Sequence, residues 1–352
     1  MLTTLLKNAG QQYHNRLPFV LYRKAGTETL HGIFQKDAQL YQTRDFSETG
    51  FVFAPFDPDQ PAILILPEVL MSEGYSVQRA GFNPRYASSG DKNSRKEYVQ
   101  LVEKGIGEIT AGKMTKVVLS RILEVPCETD PIELFHDLLC QSPDAFCYIW
   151  YHPKIGLWLG ATPEMLLQIK NNTLKTISMA GTQRVKNQGQ PTWEQKELTE
   201  QGLVTGYIKD ALKEKVRDLK SSATTSVKAG IVWHLRTELS GSVHRSQLKE
   251  VLRALHPTPA VCGLPPAIAR SFISANENFE RGYYTGFLGE LNLHTDNSTS
   301  LFVNLRCLQI LNRRAMIYVG AGVTIDSVPE KEWQETVDKS MTMRAVLFNS
   351  TE

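Results

Sequence analysis

The chain has 352 residues, 41% of them hydrophobic and 22% charged, with a formal net charge of +2. That composition excludes a disordered chain, which needs low hydrophobicity and high net charge. It also argues against a nucleic-acid partner held by bulk charge, because 39 basic residues nearly cancel 37 acidic ones.

At roughly 150 residues per domain, the length alone suggests about two domains. The five cysteines (Cys127, Cys140, Cys147, Cys262, Cys307) are odd in number, widely spaced and free of any CxxC. They fit a reducing interior and argue against both a disulfide framework and structural zinc. The first residues lack the apolar core of a signal peptide, and no run of about 18 apolar residues occurs. The reading is a soluble cytoplasmic protein with no membrane partner.

In chain order, the first 90 residues read as strands broken by turns, with apolar runs at 51–56 and 62–67. Residues 81–96 are polar and rich in Gly and Ser, and read as a loop. From 96 to 109 the period becomes helical, with Tyr98, Leu101, Val102, Ile106 and Ile109 on one face. Residues 116–123 read as a strand, as do 145–152 and 155–167, joined at Pro153, and then 174–179. Helices are expected over 192–219 and 246–255, and strands over 299–311 and 315–320. The last helix starts at Ser327, where Ser327 and Glu330 match a capping box with Pro329 in the first turn. The pattern is α+β in antiparallel style, without the alternation of a parallel sheet.

The last helix is the most informative element. Glu332, Glu335 and Lys339 share one face, beside an apolar stripe of Trp333, Val337 and Met341. Glu197 and Glu200 repeat the carboxylate spacing on the helix near 200. Two such helices can together hold a Mg²⁺, which prefers a few carboxylates, retained waters and a substrate oxygen. The alternative is a pair of solvated helix faces, and the spacing alone favours it. Lys116 opens an apolar strand, either as an edge residue reaching for water or as a partly buried amine able to act as a base. The pattern favours the edge. Glu164 follows a strand and a proline, as a turn carboxylate or a general acid. Gly320, Ala321 and Gly322 lie between a strand and a helix, where glycines let backbone approach a ligand. Arg306 sits inside an apolar strand and needs a partner, a salt bridge or a ligand carboxylate. His256 ends a helix before a proline, as a dipole partner or a substrate contact. No HExxH, GxxxxGK[ST] or GxSxG and no convincing GxGxxG is present.

Taken in order, eight blocks resemble the chorismate-utilising enzymes. They are KVVLSR (116–121), GATPEML (160–166), MAGT (179–182), KELTE (196–200), LHPTPAVCGLP (255–265), FERGYYTGFLGE (279–290), NLRC (304–307) and YVGAGVTIDSVPEKEWQETVDK (318–339). They cover the chain from about residue 98 onward, and residues 1–95 match less distinctively. The resemblance implies a single large α+β domain over 1–352, with antiparallel sheets flanked by helices and a site in a central cleft. It implies Mg²⁺ on the ring carboxylate of chorismate, with Glu200 and Glu335 as ligands and Glu197 and Glu332 acting through waters. Arg306, the backbone of Gly320, Ala321 and Gly322, and Lys339 would hold the substrate carboxylate and the metal ligands. Gly181 and Thr182 would meet the ring side, His256 the ring hydroxyl or carboxylate, and Tyr318 the enolpyruvyl group.

Two positions set the branch by resemblance. Lys116 stands where isochorismate and salicylate synthases carry the lysine that activates water, and where ammonia-using relatives carry Gln. Ala180 replaces the nucleophilic lysine of aminodeoxychorismate synthases. Water is then the nucleophile, with Lys116 as base and Glu164 as acid, and isochorismate for menaquinone or siderophore synthesis is the product. Salicylate synthase is the alternative, and anthranilate synthase follows it. No amidotransferase subunit is implied, and the chain would be a monomer or weak homodimer. Departures from the family pattern are Gln201, where His is usual, and Leu305, where Ile is common. Neither removes a catalytic group.

Overall fold

The computed structural model describes residues 3–76, 92–184, 191–229, 232–293 and 298–348. Two sheets carry the architecture, and their pairings are antiparallel. The nine-stranded sheet runs Gly263–Leu264, Lys116–Pro126, Arg314–Val323, Cys307–Leu311, Gly156–Thr162, Phe146–His152, Phe19–Arg23, Thr29–Phe34, Val69–Gly74. The ten-stranded sheet runs Arg217–Ser221, Val232–Ser242, Thr173–Arg184, Met165–Lys170, Thr299–Val303, Phe287–Leu291, Gly50–Ala54, Ala62–Ile65, Tyr41–Thr43, with Thr225–Ala229 also paired to Val232–Ser242.

Strand Phe146–His152 shows how the layers form. Phe146, Tyr148 and Trp150 point into a core shared with Phe51, Phe53 and Leu288 of the other sheet. Cys147, Ile149 and Tyr151 point the other way, against helices Thr4–His14 and Pro131–Gln141. Both faces are covered, so the strand is apolar throughout instead of alternating. Aromatic contacts join the sheets, with Phe53 and Trp150 centroids 4.8 Å apart and Phe146 and Phe302 4.0 Å apart. Helices Gln195–Leu212 and Leu248–Leu255 pack on the ten-stranded sheet through Val204, Ile208, Leu212, Val251 and Leu255. Helices Lys92–Thr110 and Pro329–Phe348 pack on each other and on the strands beside Lys116. Among the described residues, no helix is long and apolar enough to cross a membrane.

Several elements differ from the sequence expectation. The first 90 residues hold a helix, Thr4–His14, whose first turn is capped by the Thr3 hydroxyl and which buries Leu5, Leu6 and Ala9. The helix expected over 192–219 stops at Leu212, and Arg217–Ser221 joins the sheet. The preceding Lys213, Glu214 and Lys215 favour helix locally, but pairing of Arg217–Ser221 with Val232–Ser242 overrides that preference. Of the loop expected over 81–96, residues 81–91 lie outside the described residues and 92–96 are helical. The final helix begins at Pro329; the Ser327 hydroxyl accepts the Thr324 N–H, and Glu330 pairs with Arg95.

The runs 155–167 and 299–311, each expected to be one strand, are the most consequential differences. Each is two strands in different sheets. The chain crosses between sheets at Pro163 and Glu164, and again at residues 304–306. The crossings are tied together: the Val303 N–H donates to the Glu164 carbonyl at 2.9 Å, and the Ala161 N–H to the Arg306 carbonyl at 3.0 Å.

Candidate active site

A chamber of about 740 Å³, its mouth included, is lined from both sheets beside these crossings. Glu164 and Arg306 line it because the chain changes sheets where they sit. Arg306 is left-handed, with φ 47°, and so is Thr285 on the same wall, with φ 60°. Such backbone costs about 1–3 kcal/mol per residue and persists only where its surroundings impose it. Here the Thr285 N–H donates to the Asn304 carbonyl at 3.0 Å, and the Asn304 N–H to the Gly286 carbonyl at 2.8 Å.

Lys116 is 1% exposed, so the edge reading fails. Its Nζ lies 2.8 Å from Glu200 Oε1. The neighbouring strand brings Gly322 opposite Val118. A Cβ at Gly322 would lie 2.8 Å from Glu200 Oε1 and 3.2 Å from Lys116 Cε, so the glycine provides room for this pair. Lys339 Nζ donates to the Gly320 carbonyl at 3.0 Å and pairs with Glu335 Oε1 at 2.6 Å. Gly181 has φ 69° at a bulge between Ala180 and Thr182. Tyr318 stacks between Tyr284, at 5.3 Å, and Trp158, at 5.2 Å.

The two acidic groups nearest Lys116 are driven in opposite directions. Burial raises the Glu164 carboxyl to about 7, against the opposing pull of Lys116, Lys339 and Arg306. Burial also works to raise Glu200, but Lys116, Lys339 and Lys196 outweigh it and its pKa is lowered. Near neutral pH Glu164 can therefore give up a proton while Glu200 stays a carboxylate.

Most residues expected at the site line this chamber: Glu164, Gly181, Thr182, Glu200, Arg306, Tyr318, Gly320, Gly322, Glu335 and Lys339. Lys116 reaches it through its contact with Glu200. Four residues are placed elsewhere. His256 turns its Nε2 to the Pro55 carbonyl at 2.9 Å and packs edge-on against Phe287. Burial lowers its pKa to about 4, so it is neutral at pH 7 and is no cation at the helix end. Ala321 is fully buried, because strand alternation turns it away from the side shared by Gly320 and Gly322. Glu197 accepts the Glu194 N–H at 3.0 Å in a capping box. Glu332 is 1% exposed and pairs with Lys196 at 2.8 Å.

His234 is a wall residue that the sequence pattern does not single out. Its Nδ1 contacts the Gly181 carbonyl at 3.1 Å, and burial with Arg306 and Lys339 nearby lowers its pKa to about 3. Nδ1–H therefore donates to Gly181, leaving Nε2 as the acceptor. A lone histidine on an apolar strand carries no distinguishing signal. Tyr284 and Thr285 also line the wall, from a block whose match to relatives assigns them no role.

The sequence model of the family described as "Chorismate binding enzyme" matches residues 68–348. The chain belongs to this family. It is 31% identical over 320 residues to isochorismate synthase DhbC of Bacillus subtilis, covering 82% of this chain and 78% of that protein. It is 28% identical over 309 residues to isochorismate synthase EntC of Escherichia coli K12, covering 82% and 78%. The fold matches that of MenF, the menaquinone-specific isochorismate synthase from Escherichia coli, with a TM-score of 0.80 at 20% identity over 98% of this chain and 91% of that one.

For a chorismate-binding chain, the four glutamates can be tested as a metal site. Among the described residues, no three His, Cys, Asp or Glu side chains converge as a ready metal cage. Glu200 and Glu335 share the wall, and Glu332 lies close enough to Glu335 that burial and this like charge together raise its pKa. Mg²⁺ needs only one or two protein carboxylates beside water and substrate oxygens. The all-oxygen pair Glu200 and Glu335, with crowded negative charge behind it, fits that requirement.

Proposed function

We propose that this chain is an isochorismate synthase, converting chorismate to isochorismate by attack of water at ring carbon 2 and loss of the carbon 4 hydroxyl. The observation that carries this reading is the pairing of one buried amine, Lys116, with one buried carboxyl, Glu164, held near pH 7 around the same chamber. Ala180 on that wall offers no amine to act as a covalent nucleophile.

Lys116 takes a proton from the attacking water, and Glu164 gives one to the departing hydroxyl as the double bonds shift. Glu200 accepts the Lys116 ammonium at rest, so the amine works as a base once that carboxylate is otherwise engaged. Arg306, Lys339 and the backbone at Gly320 and Gly322 hold the ring carboxylate. Gly181 and Thr182 bound the ring, and Tyr318 packs near the enolpyruvyl group. Glu200 and Glu335 would hold Mg²⁺, with Glu197 and Glu332 acting through water; bound there, the ion would neutralise the carboxylate and help to orient the ring. The reading carries with it a single cytoplasmic catalytic domain, serving menaquinone or siderophore synthesis, that needs no amidotransferase subunit.

The test is to incubate the protein with chorismate and Mg²⁺ and follow the product by NMR. Isochorismate without pyruvate is expected, and EDTA stops its formation. Salicylate with pyruvate would reassign the chain to salicylate synthesis, and anthranilate with added ammonia would overturn the role of Lys116. Full turnover in EDTA would contradict the glutamate metal site.

A further inference from the structure

Arg121 is a buried cation that the mechanism does not use. It lies five residues after Lys116 on strand Lys116–Pro126, on the opposite face, and is 8% exposed. Among the described residues no carboxylate pairs with it. Its guanidinium carbon lies 4.0 Å from the centroid of the Trp333 ring. Its Nε–H donates to Thr336 Oγ1 at 2.8 Å, and the Thr336 hydroxyl in turn donates to the Trp333 carbonyl at 2.7 Å. Both partners are buried, Thr336 completely.

The partners matter because of where they fall on helix Pro329–Phe348. Trp333 and Thr336 each follow a carboxylate, Glu332 and Glu335, by one residue. One residue is about 100° of helix rotation. Whatever fixes the direction of 333 and 336 therefore fixes the direction of 332 and 335. A planar guanidinium held by a ring face and a directed hydrogen bond sets both rotation and register. An apolar side chain of similar volume would fill the space without burying a charge, but would leave the helix free to roll against the strand.

We propose that Arg121 is a positioning residue for the cation site, setting the helix so that the Glu335 carboxylate faces Glu200 across the chamber. The proposal rests on the reading of those glutamates as metal ligands. It links the strand that carries the base to the helix that carries half of the metal site, so that both halves share one alignment.

The test is direct Mn²⁺ binding by electron paramagnetic resonance, together with turnover against Mg²⁺ concentration and thermal melting. Arg121→Met should raise the Mn²⁺ Kd at least tenfold and the Mg²⁺ requirement in parallel. At saturating Mg²⁺ its kcat should stay within about threefold of wild type. Arg121→Lys keeps the charge without the planar stack, so its Kd should fall between the two. Thr336→Val, close in shape, removes the hydroxyl that accepts from Arg121 and donates to the Trp333 carbonyl, and should weaken Mn²⁺ several-fold, which keeps the test open if Arg121→Met does not fold. An unchanged Kd in Arg121→Met or Thr336→Val overturns the proposal while the metal reading stands. A loss of kcat in step with a lowered Tm, with no separate change in Kd, also overturns it, since the role is then one of general packing. Wild-type protein that binds no Mn²⁺ removes the metal reading and this proposal with it.

Discussion

Lys116→Gln should leave a folded protein that no longer turns chorismate over. A positioned general base contributes about 10²–10⁴-fold, so kcat should fall by at least that range, with the circular dichroism spectrum unchanged. Lys116→Arg separates the two things this side chain can do. Arginine keeps a cation beside Glu200, where Lys116 Nζ now sits at 2.8 Å, but it does not give up its proton at neutral pH. If Lys116 acts as a base, Lys116→Arg is as inactive as Lys116→Gln. If it serves only to neutralise Glu200, the arginine variant recovers most of the activity, and the assigned role is wrong.

Glu164→Gln should be equally damaging and should also change the pH profile. The working form of Glu164 is the protonated acid. Its pKa, raised to about 7 by burial, keeps it protonated below that pH and converts it to a carboxylate above it. The wild-type kcat/KM should therefore fall as pH rises through about 7, approaching tenfold per unit. Glu164→Gln should lose about 10²–10⁴-fold at pH 6.5, and what remains should lack that limb. A variant that keeps substantial activity, or keeps the same limb, would assign the proton to another group.

The sequence makes the chemistry of the site more legible than the path of the chain. Lys116, Glu164, Arg306 and the two helical glutamates on the wall can be named from their motifs, and they converge on one chamber. The sheet crossings that bring Glu164 and Arg306 there are not readable as crossings. Residues 155–167 and 299–311 are largely apolar, because each strand is covered on both faces, and an apolar run does not show which sheet it belongs to. Pro163 is the available signal, since proline interrupts a ladder. His256 is harder to place: a histidine before a proline in a matched block looks like a ligand contact, whereas in the structure its Nε2 meets the Pro55 carbonyl and the residue does not line the chamber. His234 escapes notice because nothing local distinguishes a wall histidine from a core one. The two-domain expectation from length also gives way, since the chain passes repeatedly between the two sheets and both line the chamber.

The attack of water at ring carbon 2 can be read in a single isotope measurement. When chorismate is converted in ¹⁸O-enriched water with Mg²⁺, one ¹⁸O atom is expected in the carbon 2 hydroxyl of isochorismate, seen by mass and by the ¹³C isotope shift. Isochorismate formed without label would mean that the hydroxyl moves within the substrate, and it would contradict water activation by Lys116.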